Sequence, residues 1–293
     1  MDRLNQTLTL KEGRTLGFAE CGDPGGQAVF HFHASGSSRL EVPADEACLL
    51  DLGIRFITTD RPGHGLSDPQ AGRKLLDWPD DVGELANHLG IDRFYVMGWS
   101  AGGPHALACA YKLPERVLAG AIVSGLAPPE RPRPYKGLPL ANRLWMFGAR
   151  RMPVLVRLLR RMAYPIIMSE PEEAGRNLVL TFPPEDRRLL ESPEAQKRFV
   201  LDIQEGYRQG WQGPVEDDIV NARPWGFRLE EIRVRIELWH GEIDENVPVD
   251  QARYQHGRIP NSRLSIWPGQ AHLALYAHWS EVLAMLVEPE NEP

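Results

Sequence analysis

The nonapeptide FYVMGWSAG, residues 94–102, decides the fold of this chain. Its first four residues form an apolar run that predicts a buried strand, and the stretch from Gly103 to Lys112 predicts a helix. A G-x-S-x-G pentapeptide lies between them. In this setting the turn is so tight that side chains at Gly98 and Gly102 would clash, and it exposes the central serine at the carboxyl end of a sheet. Ser100 is therefore the candidate nucleophile.

Short apolar runs alternate with helical patterns on both sides of this turn. The predicted strands are Ala28–Phe32, Ile54–Thr58, Phe94–Met97, Ala121–Val123, Ile236–His240 and Arg263–Trp267. The predicted crossover helices are Val42–Leu52, Pro79–Leu89 and Gly103–Lys112. Thr7–Leu10 and Thr15–Phe18 flank a polar turn and predict an antiparallel hairpin. Because strands joined through helices run parallel, we predict an α/β fold with a mostly parallel central sheet flanked by helices.

A proline-rich stretch at 127–134 interrupts this alternation, and the pattern from about Leu140 to Gly210 is helical. The predicted breaks within that helical stretch are Pro153, Pro165 and Pro183-Pro184. Strand patterns return only afterwards. We therefore predict a core made of residues 1–127 and 218–293, with residues 128–217 inserted as a helical cap.

A serine hydroxyl is a weak nucleophile until a base removes its proton, and a carboxylate usually orients that base. Among the nine histidines, His272 lies in a glycine-containing loop after the last predicted strand. The loop after the preceding strand, HGEIDENVP at 240–248, offers three acids, Glu242, Asp244 and Glu245. The residues alone leave the choice among these acids open.

Further stretches make the chain resemble α/β-hydrolases with a helical cap, from about residue 27 to residue 286. DRPGHGLSD at 60–68 is similar to the Gly-rich D-R-x-G-x-G-x-S turn of that family. In the family the turn that carries the nucleophile is called the elbow, and PERV at 114–117 is similar to the segment that closes the helix after it. The family's chain order of Ser, Asp and His singles out His272. Its G-x-x-D pattern selects Asp244, so the resemblance implies a Ser100, Asp244 and His272 triad.

The resemblance also implies an oxyanion hole made by two backbone N–H groups. Ala101, the residue after the nucleophile, supplies one. His33-Ala34 aligns with the family's H-G pair, which makes Ser35 the second donor, although alanine replaces the usual glycine. We expect His33 to brace this loop and His64 to belong to a structural turn.

The predicted cap combines large apolar side chains with many arginines between residues 138 and 167. This amphipathic pattern favours a lid whose apolar face covers the site. Attraction to an anionic membrane or lipid is the alternative. Four aromatic side chains are predicted to line the substrate pocket: Trp99, Trp145, Phe147 and Trp211. Trp225 and Phe227, near the return to the core, are further candidates.

Composition excludes several classes of function. The 293 residues carry a formal net charge of -7 and no nucleic-acid motif, so a nucleic-acid partner is not expected. No apolar run reaches the ~18 residues of a membrane span and no secretory signal is present, which predicts a cytoplasmic protein. Cys21, Cys48 and Cys109 lack metal spacing, and we expect no metal and no cofactor. The oligomeric state is not indicated.

The sequence therefore predicts hydrolysis of a carboxylic ester through an acyl-enzyme, with a small-molecule acyl substrate. The same triad suits other reactions: cleavage of thioesters, lactones, peptide termini or carbon-carbon bonds, and cofactor-free peroxidation. A non-catalytic ligand receptor is the alternative from another class. Serine at the elbow argues against dehalogenase and epoxide-hydrolase chemistry, which in similar families uses aspartate there.

Overall fold

The computed structural model describes residues 3–288, apart from the side chains of residues 171, 172, 176 and 178. Eight strands form one sheet in the order β1-β2-β4-β3-β5-β6-β7-β8. Their bounds are Gln6–Thr9 (β1), Thr15–Gly22 (β2), Gln27–Phe32 (β3), Ile54–Thr59 (β4), Phe94–Trp99 (β5), Val117–Val123 (β6), Arg235–Gly241 (β7) and Ser262–Trp267 (β8). Only β2 runs against the others, so the predicted α/β class and the mostly parallel sheet are confirmed.

Eleven α-helices accompany these strands in the part of the chain that the structure describes. Their bounds are Ala47–Asp51 (α1), Trp78–His88 (α2), Gly103–Lys112 (α3), Leu140–Arg151 (α4), Pro153–Ile167 (α5), Pro171–Val179 (α6), Pro184–Leu189 (α7), Pro193–Gly206 (α8), Gln212–Asn221 (α9), Asp250–His256 (α10) and Leu275–Val287 (α11). The core packs on both faces of the sheet, with α2 and α3 against one apolar cluster and α1 and α11 against the other.

One predicted helix is too long at its start. The pattern predicts a helix from Val42, but α1 begins at Ala47. Tertiary bonds compete for this stretch: the buried Glu41 carboxylate accepts the backbone N–H of Ala34, and Pro43 follows immediately. The chain before α1 therefore follows the loop after β3 rather than a helical path.

The elements between β6 and β7 are helical, and we call residues 140–221, which span α4 to α9, the helical segment. Pro165 does not break it as predicted, because it lies in the last turn of α5, where few residues remain to be disrupted. The predicted boundary between residues 217 and 218 falls inside α9. The division into core and cap domains stays a prediction.

The order of the strands in the sheet determines where a crevice for a functional site lies. The chain passes from β3 to β4 on one side and then to β5 on the other, so the order reverses between β3 and β5. Loops diverge at such a reversal and leave a crevice at the carboxyl ends of the strands. The loop after β3 and the turn after β5 both lead into this crevice.

Candidate functional site

Ser100 lies in a strained turn at the carboxyl end of β5. Its φ of 53° is in the left-handed region, which side chains other than glycine seldom adopt. The neighbouring glycines are required by space: a Cβ at Gly98 would lie 2.4 Å from the carbonyl oxygen of Gly102, and one at Gly102 would lie 1.9 Å from that of Phe32. The local sequence therefore permits an elbow that brings the serine hydroxyl to the crevice.

Ser100, His272 and Asp244 form a continuous hydrogen-bonded chain. The Oγ of Ser100 lies 3.0 Å from Nε2 of His272, and Nδ1 of His272 lies 2.7 Å from Oδ2 of Asp244. The serine is 172 residues from the histidine in sequence, so only the fold brings them together. This geometry suits proton transfer from the hydroxyl to the imidazole, with the carboxylate orienting the ring.

Of the three acids in the loop after β7, only Asp244 reaches the histidine. Its second oxygen, Oδ1, accepts the backbone N–H of Val247 at 2.8 Å, which holds the carboxylate in place. Glu242 instead accepts the N–H of Gly269, and Glu245 borders a smaller polar cavity beside the site. The structure thus distinguishes three acids that the residues alone left equivalent.

Asp244 and His272 each stabilise the charged form of the other. Burial by itself raises the pKa of Asp244, but the charge of His272 and hydrogen bonds from His240 and His272 outweigh it and hold that pKa below its usual range. Burial disfavours the charged form of His272, yet the adjacent Asp244 carboxylate prevails and raises the pKa of His272 above 6.5. The imidazolium that forms during proton transfer is therefore stabilised.

In the loop after β3, the backbone N–H of Ser35 is unpaired within the described part of the chain. The Ala34 N–H donates to Glu41, whereas the Ser35 N–H has no acceptor among residues 3–288. The Ala34 carbonyl, in the same peptide unit as the Ser35 N–H, accepts from Arg61 at 3.1 Å and from the His33 Nδ1 at 2.8 Å. Because C=O and N–H point in opposite directions in a trans peptide, holding the carbonyl inward turns the Ser35 N–H outward.

Ser35 and Ala101 both line the cavity that contains Ser100. An oxyanion hole requires backbone donors placed beside the nucleophile, and the assignment of the Ser35 and Ala101 N–H groups to this role stays a prediction. Ala34, which replaces the usual glycine, is accommodated at the wall of the same cavity.

Two histidines singled out in the sequence lie away from the cavity. The Nε2 of His33 accepts the backbone N–H of Arg61 at 3.3 Å, which suits a bracing role for His33. His64 is completely buried and packs on His33 with ring centroids 4.8 Å apart. His64 is therefore remote from any substrate in this cavity.

Buried aspartates of the helical segment hold the loops of the site. Asp217 pairs with Arg61 at 2.8 Å, and Asp218 accepts the Ser35 hydroxyl at 2.9 Å. Asp202 accepts the backbone N–H of Ser38 at 2.9 Å. Asp186 accepts the backbone N–H of His272 at 3.2 Å and that of Leu273 at 2.8 Å. The helical segment thus fixes both the loop after β3 and the loop that carries the histidine.

Sequence reasoning missed these aspartates. Asp217 and Asp218 follow Glu216 and precede Ile219-Val220, and acids interleaved with apolar residues on one helix are a sign of buried partners. Asp186 stands among charged residues of α7, and nothing in its surroundings in the sequence distinguishes it. Its role depends on a contact 86 residues away.

Ser100 and His272 open into a cavity of about 480 Å³ between the sheet and the helical segment. Most of its lining is apolar, and the predicted pocket residues Trp99 and Trp145 belong to it. Phe147 and Trp211 do not, which corrects the prediction. Phe147 is 47% exposed, and Trp211 packs on a small cluster around Ile219. Trp225 and Phe227 pack on the core instead.

Helical geometry explains the error at Phe147. Residues two apart on an α-helix point about 200° apart, so Trp145 and Phe147 cannot face one cavity. The Trp145 indole N–H donates to Asp218 at 3.0 Å, which directs this side chain inward. A prediction that ignores the helical period therefore assigns too many large apolar residues to the cavity.

Within residues 3–288, no three His, Cys, Asp or Glu side chains are grouped so that they could hold a metal ion. No helix in that range has the length and apolar character needed to cross a bilayer. The cytoplasmic location stays a prediction.

Known proteins provide an independent comparison. A curated relative from Pseudomonas putida, 2-hydroxy-6-oxononadienedioate/2-hydroxy-6-oxononatrienedioate hydrolase 2, is 28% identical over 265 residues, covering 87% of this chain and 84% of the relative. A pimeloyl-[acyl-carrier protein] methyl ester esterase from Aromatoleum aromaticum is 26% identical over 239 residues, covering 82% of this chain and 88% of the esterase.

The solved structures agree on the fold. A hydrolase from Pseudomonas aeruginosa superimposes with a TM-score of 0.71 at 19% identity, covering 97% of this chain and 98% of the other. The family profile described as alpha/beta hydrolase fold matches residues 33–278, which span the elbow and the loops that carry Asp244 and His272. The chain belongs to the α/β-hydrolase family.

Proposed function

We propose that this hydrolase cleaves a carboxylic ester, or a closely related acyl bond, through an acyl-enzyme intermediate. The observation that carries the proposal is the Ser100, His272 and Asp244 chain, with its 3.0 and 2.7 Å links, at the base of a mostly apolar cavity. A receptor has no need of a serine hydroxyl that is hydrogen-bonded to a histidine and carboxylate pair in its ligand cavity.

In the proposed reaction the Ser100 hydroxyl attacks the ester carbonyl while His272 accepts the hydroxyl proton. The Ser35 and Ala101 N–H groups stabilise the oxyanion, and the imidazolium returns the proton to the leaving alcohol. His272 then takes a proton from water, and the resulting attack releases the carboxylic acid and restores the serine. Asp244 stays ionised throughout and stabilises the imidazolium.

The charges of the cavity favour an uncharged acyl group. Among described residues, the cationic side chains that line the cavity are Arg160 and the histidine itself. Arg160 pairs with Asp218 at 2.6 Å, so its charge is already balanced. The apolar lining instead suits short to medium acyl chains.

Carbon-carbon bond hydrolysis is the second candidate, and the Pseudomonas putida relative favours it. The dioate substrates in that relative's name carry two carboxylates, for which this cavity has no unpaired cation among described residues. Both reactions would use the same serine. A panel of p-nitrophenyl esters assayed beside a 2-hydroxy-6-oxo-dienedioate separates them, and we expect turnover of the esters.

A fluorophosphonate probe tests the class of function. We expect one phosphonylated serine, identified by mass spectrometry as Ser100. Turnover of the dienedioate with no ester turnover would replace ester hydrolysis by the second candidate. An unlabelled serine, with no turnover of either the esters or the dienedioate, would contradict both.

The pH profile depends on the protonation of His272. Only the neutral ring accepts the serine proton, and the pKa of His272 is raised above 6.5, so kcat/KM should fall as pH drops through a value above 6.5. The measurement is kcat/KM on an uncharged ester between about pH 5 and 9. A flat acid limb down to about pH 5 would contradict His272 as the base.

Acyl preference should depend on Trp145 and not on Phe147. Trp145→Ala enlarges the cavity, and we expect the preference between short and long acyl esters to change by ~10- to 200-fold in kcat/KM. Phe147→Ala removes a similar side chain from the exposed side of the same helix and should leave the preference unchanged.

Trp145→Phe separates volume from hydrogen bonding, since it loses the N–H donated to Asp218 but keeps most of the ring. We expect it to keep the acyl preference of the parent. If Phe147→Ala changed the preference as much as Trp145→Ala, the cavity would not be the acyl site.

A further inference from the structure

The outer side of α4 and α5 exposes an unusual amount of apolar surface. Eleven of the sixteen exposed large hydrophobic side chains among the described residues lie between Leu140 and Met168. They are Leu140, Leu144, Phe147, Met152, Val154, Leu155, Leu158, Leu159, Met162, Ile166 and Met168, and we call them the outer apolar face. Contiguous exposed apolar surface of this kind marks an interaction site.

The helical period shows that the part of this face on α5 is a continuous stripe. On α5 the exposed apolar side chains fall within an arc of about 140° when each residue advances 100°. The only buried side chain of α5 is Val156. A helix of an ordinary globular protein turns its apolar stripe toward the core, whereas α5 turns it to solvent.

The charged residues of the segment that carries this face are all basic. Residues 131–169 contain nine arginines and lysines and no aspartate or glutamate, in a chain whose formal net charge is -7, so the remaining residues carry -16. Arg143, Arg151 and Arg161 are exposed on α4 and α5 and pair with no acid among described residues. A basic, apolar patch on an acidic protein calls for an anionic partner.

We propose that the outer apolar face docks on an anionic phospholipid surface, with its arginines at the headgroups and its apolar side chains at the acyl boundary. Amphipathic helices with arginine beside large apolar residues lie in this way at membrane interfaces. A second copy of the chain would bring the unpaired Arg143, Arg151 and Arg161 against the same three charges, which opposes self-association through this face. The proposal does not depend on the bond that the enzyme cleaves.

The docked face adjoins the cavity. Leu159 is 45% exposed and also lines the cavity, and Arg160 beside it lines the cavity as well. Val154 and Leu158 belong to the outer apolar face alone, so they can be changed without touching the cavity. Docking would place the cavity wall formed by α5 next to the bilayer.

Vesicle sedimentation tests the proposal with the full chain. The probes are vesicles of pure phosphatidylcholine and vesicles of phosphatidylcholine mixed with phosphatidylglycerol. We expect binding to the mixed vesicles, little binding to the neutral ones, and weaker binding as salt screens the charges. Equal binding to both vesicles, or none to either, would overturn the proposal.

Variants locate the docking surface. Val154→Glu with Leu158→Glu should abolish sedimentation, whereas Leu50→Glu, at a leucine that is 55% exposed on α1, should have no effect. Arg151→Gln with Arg161→Gln should weaken binding to the anionic vesicles by about 25-fold, or about fivefold for each arginine. Circular dichroism verifies that each variant is folded.

Two results would contradict the assignment. One is undiminished vesicle binding by the Val154 and Leu158 double variant. The other is a dimer seen by light scattering without lipid that this double variant converts to a monomer. That second result would make the face an interface between copies of the chain.

Discussion

Replacing Ser100 with alanine should lower kcat for ester hydrolysis by about 10⁶-fold and abolish labelling by a fluorophosphonate. The variant loses the nucleophile, while the N–H groups of the elbow and the loop after β3 remain and account for the residual rate. The fold should be unaffected, since only one hydroxyl is removed at a position 8% exposed to solvent. Steady-state kinetics and the melting temperature are the measurements.

Ser124→Ala is the matched control for this variant. Ser124 follows the neighbouring strand β6, is completely buried and has a φ of 47°, close to that of Ser100. It does not line the cavity, so its loss should leave kcat within a few fold of the parent. Activity that survived Ser100→Ala, or that disappeared equally in both variants, would remove Ser100 from the proposed role.

Asp244→Asn should lower kcat by about 10⁴-fold. The asparagine Oδ1 can still accept the Val247 N–H, so the loop keeps its shape. The amide nitrogen then faces Nδ1 of His272 and favours the tautomer in which Nε2 carries a proton. That tautomer cannot accept the proton of the Ser100 hydroxyl.

The other loop acids provide the controls. Glu242→Gln and Glu245→Gln remove the same kind of charge within two residues of Asp244. They should keep kcat within about tenfold of the parent, because neither side chain bonds to His272.

The pH profile of Asp244→Asn is a second readout. Burial already opposes the charged ring, and without the Asp244 carboxylate the largest influence that raises the pKa of His272 is lost, so the acid limb of the Asp244→Asn profile should move to lower pH. If Glu245→Gln abolished activity while Asp244→Asn stayed active, Glu245 and not Asp244 would be the acid that orients His272.

The contacts of the aspartates in the helical segment could not be predicted from the sequence. Asp217 contacts Arg61 across 156 residues of chain, and Asp202 contacts Ser38 across 164. Such contacts have no local period and no motif, because they depend on how the helical segment folds back over the sheet. The prediction that Phe147 and Trp211 line the pocket was wrong for a related reason. The direction of a side chain depends on the rotation of its helix about its own axis and on how that helix packs.

The sequence by itself determined the sheet, the elbow and the family, because these rest on local patterns: apolar runs that bury strands, and glycines where no Cβ fits. It also placed Ser100 and His272 on loops at the same edge of the sheet. The family resemblance also selected Asp244 over Glu242 and Glu245. Only the tertiary structure showed the bond from His272 to Asp244, and only it decided that the stripe on α5 faces outward. Hydrogen bonds of about 3 Å depend on the relative positions of distant loops, and packing alone fixes those positions.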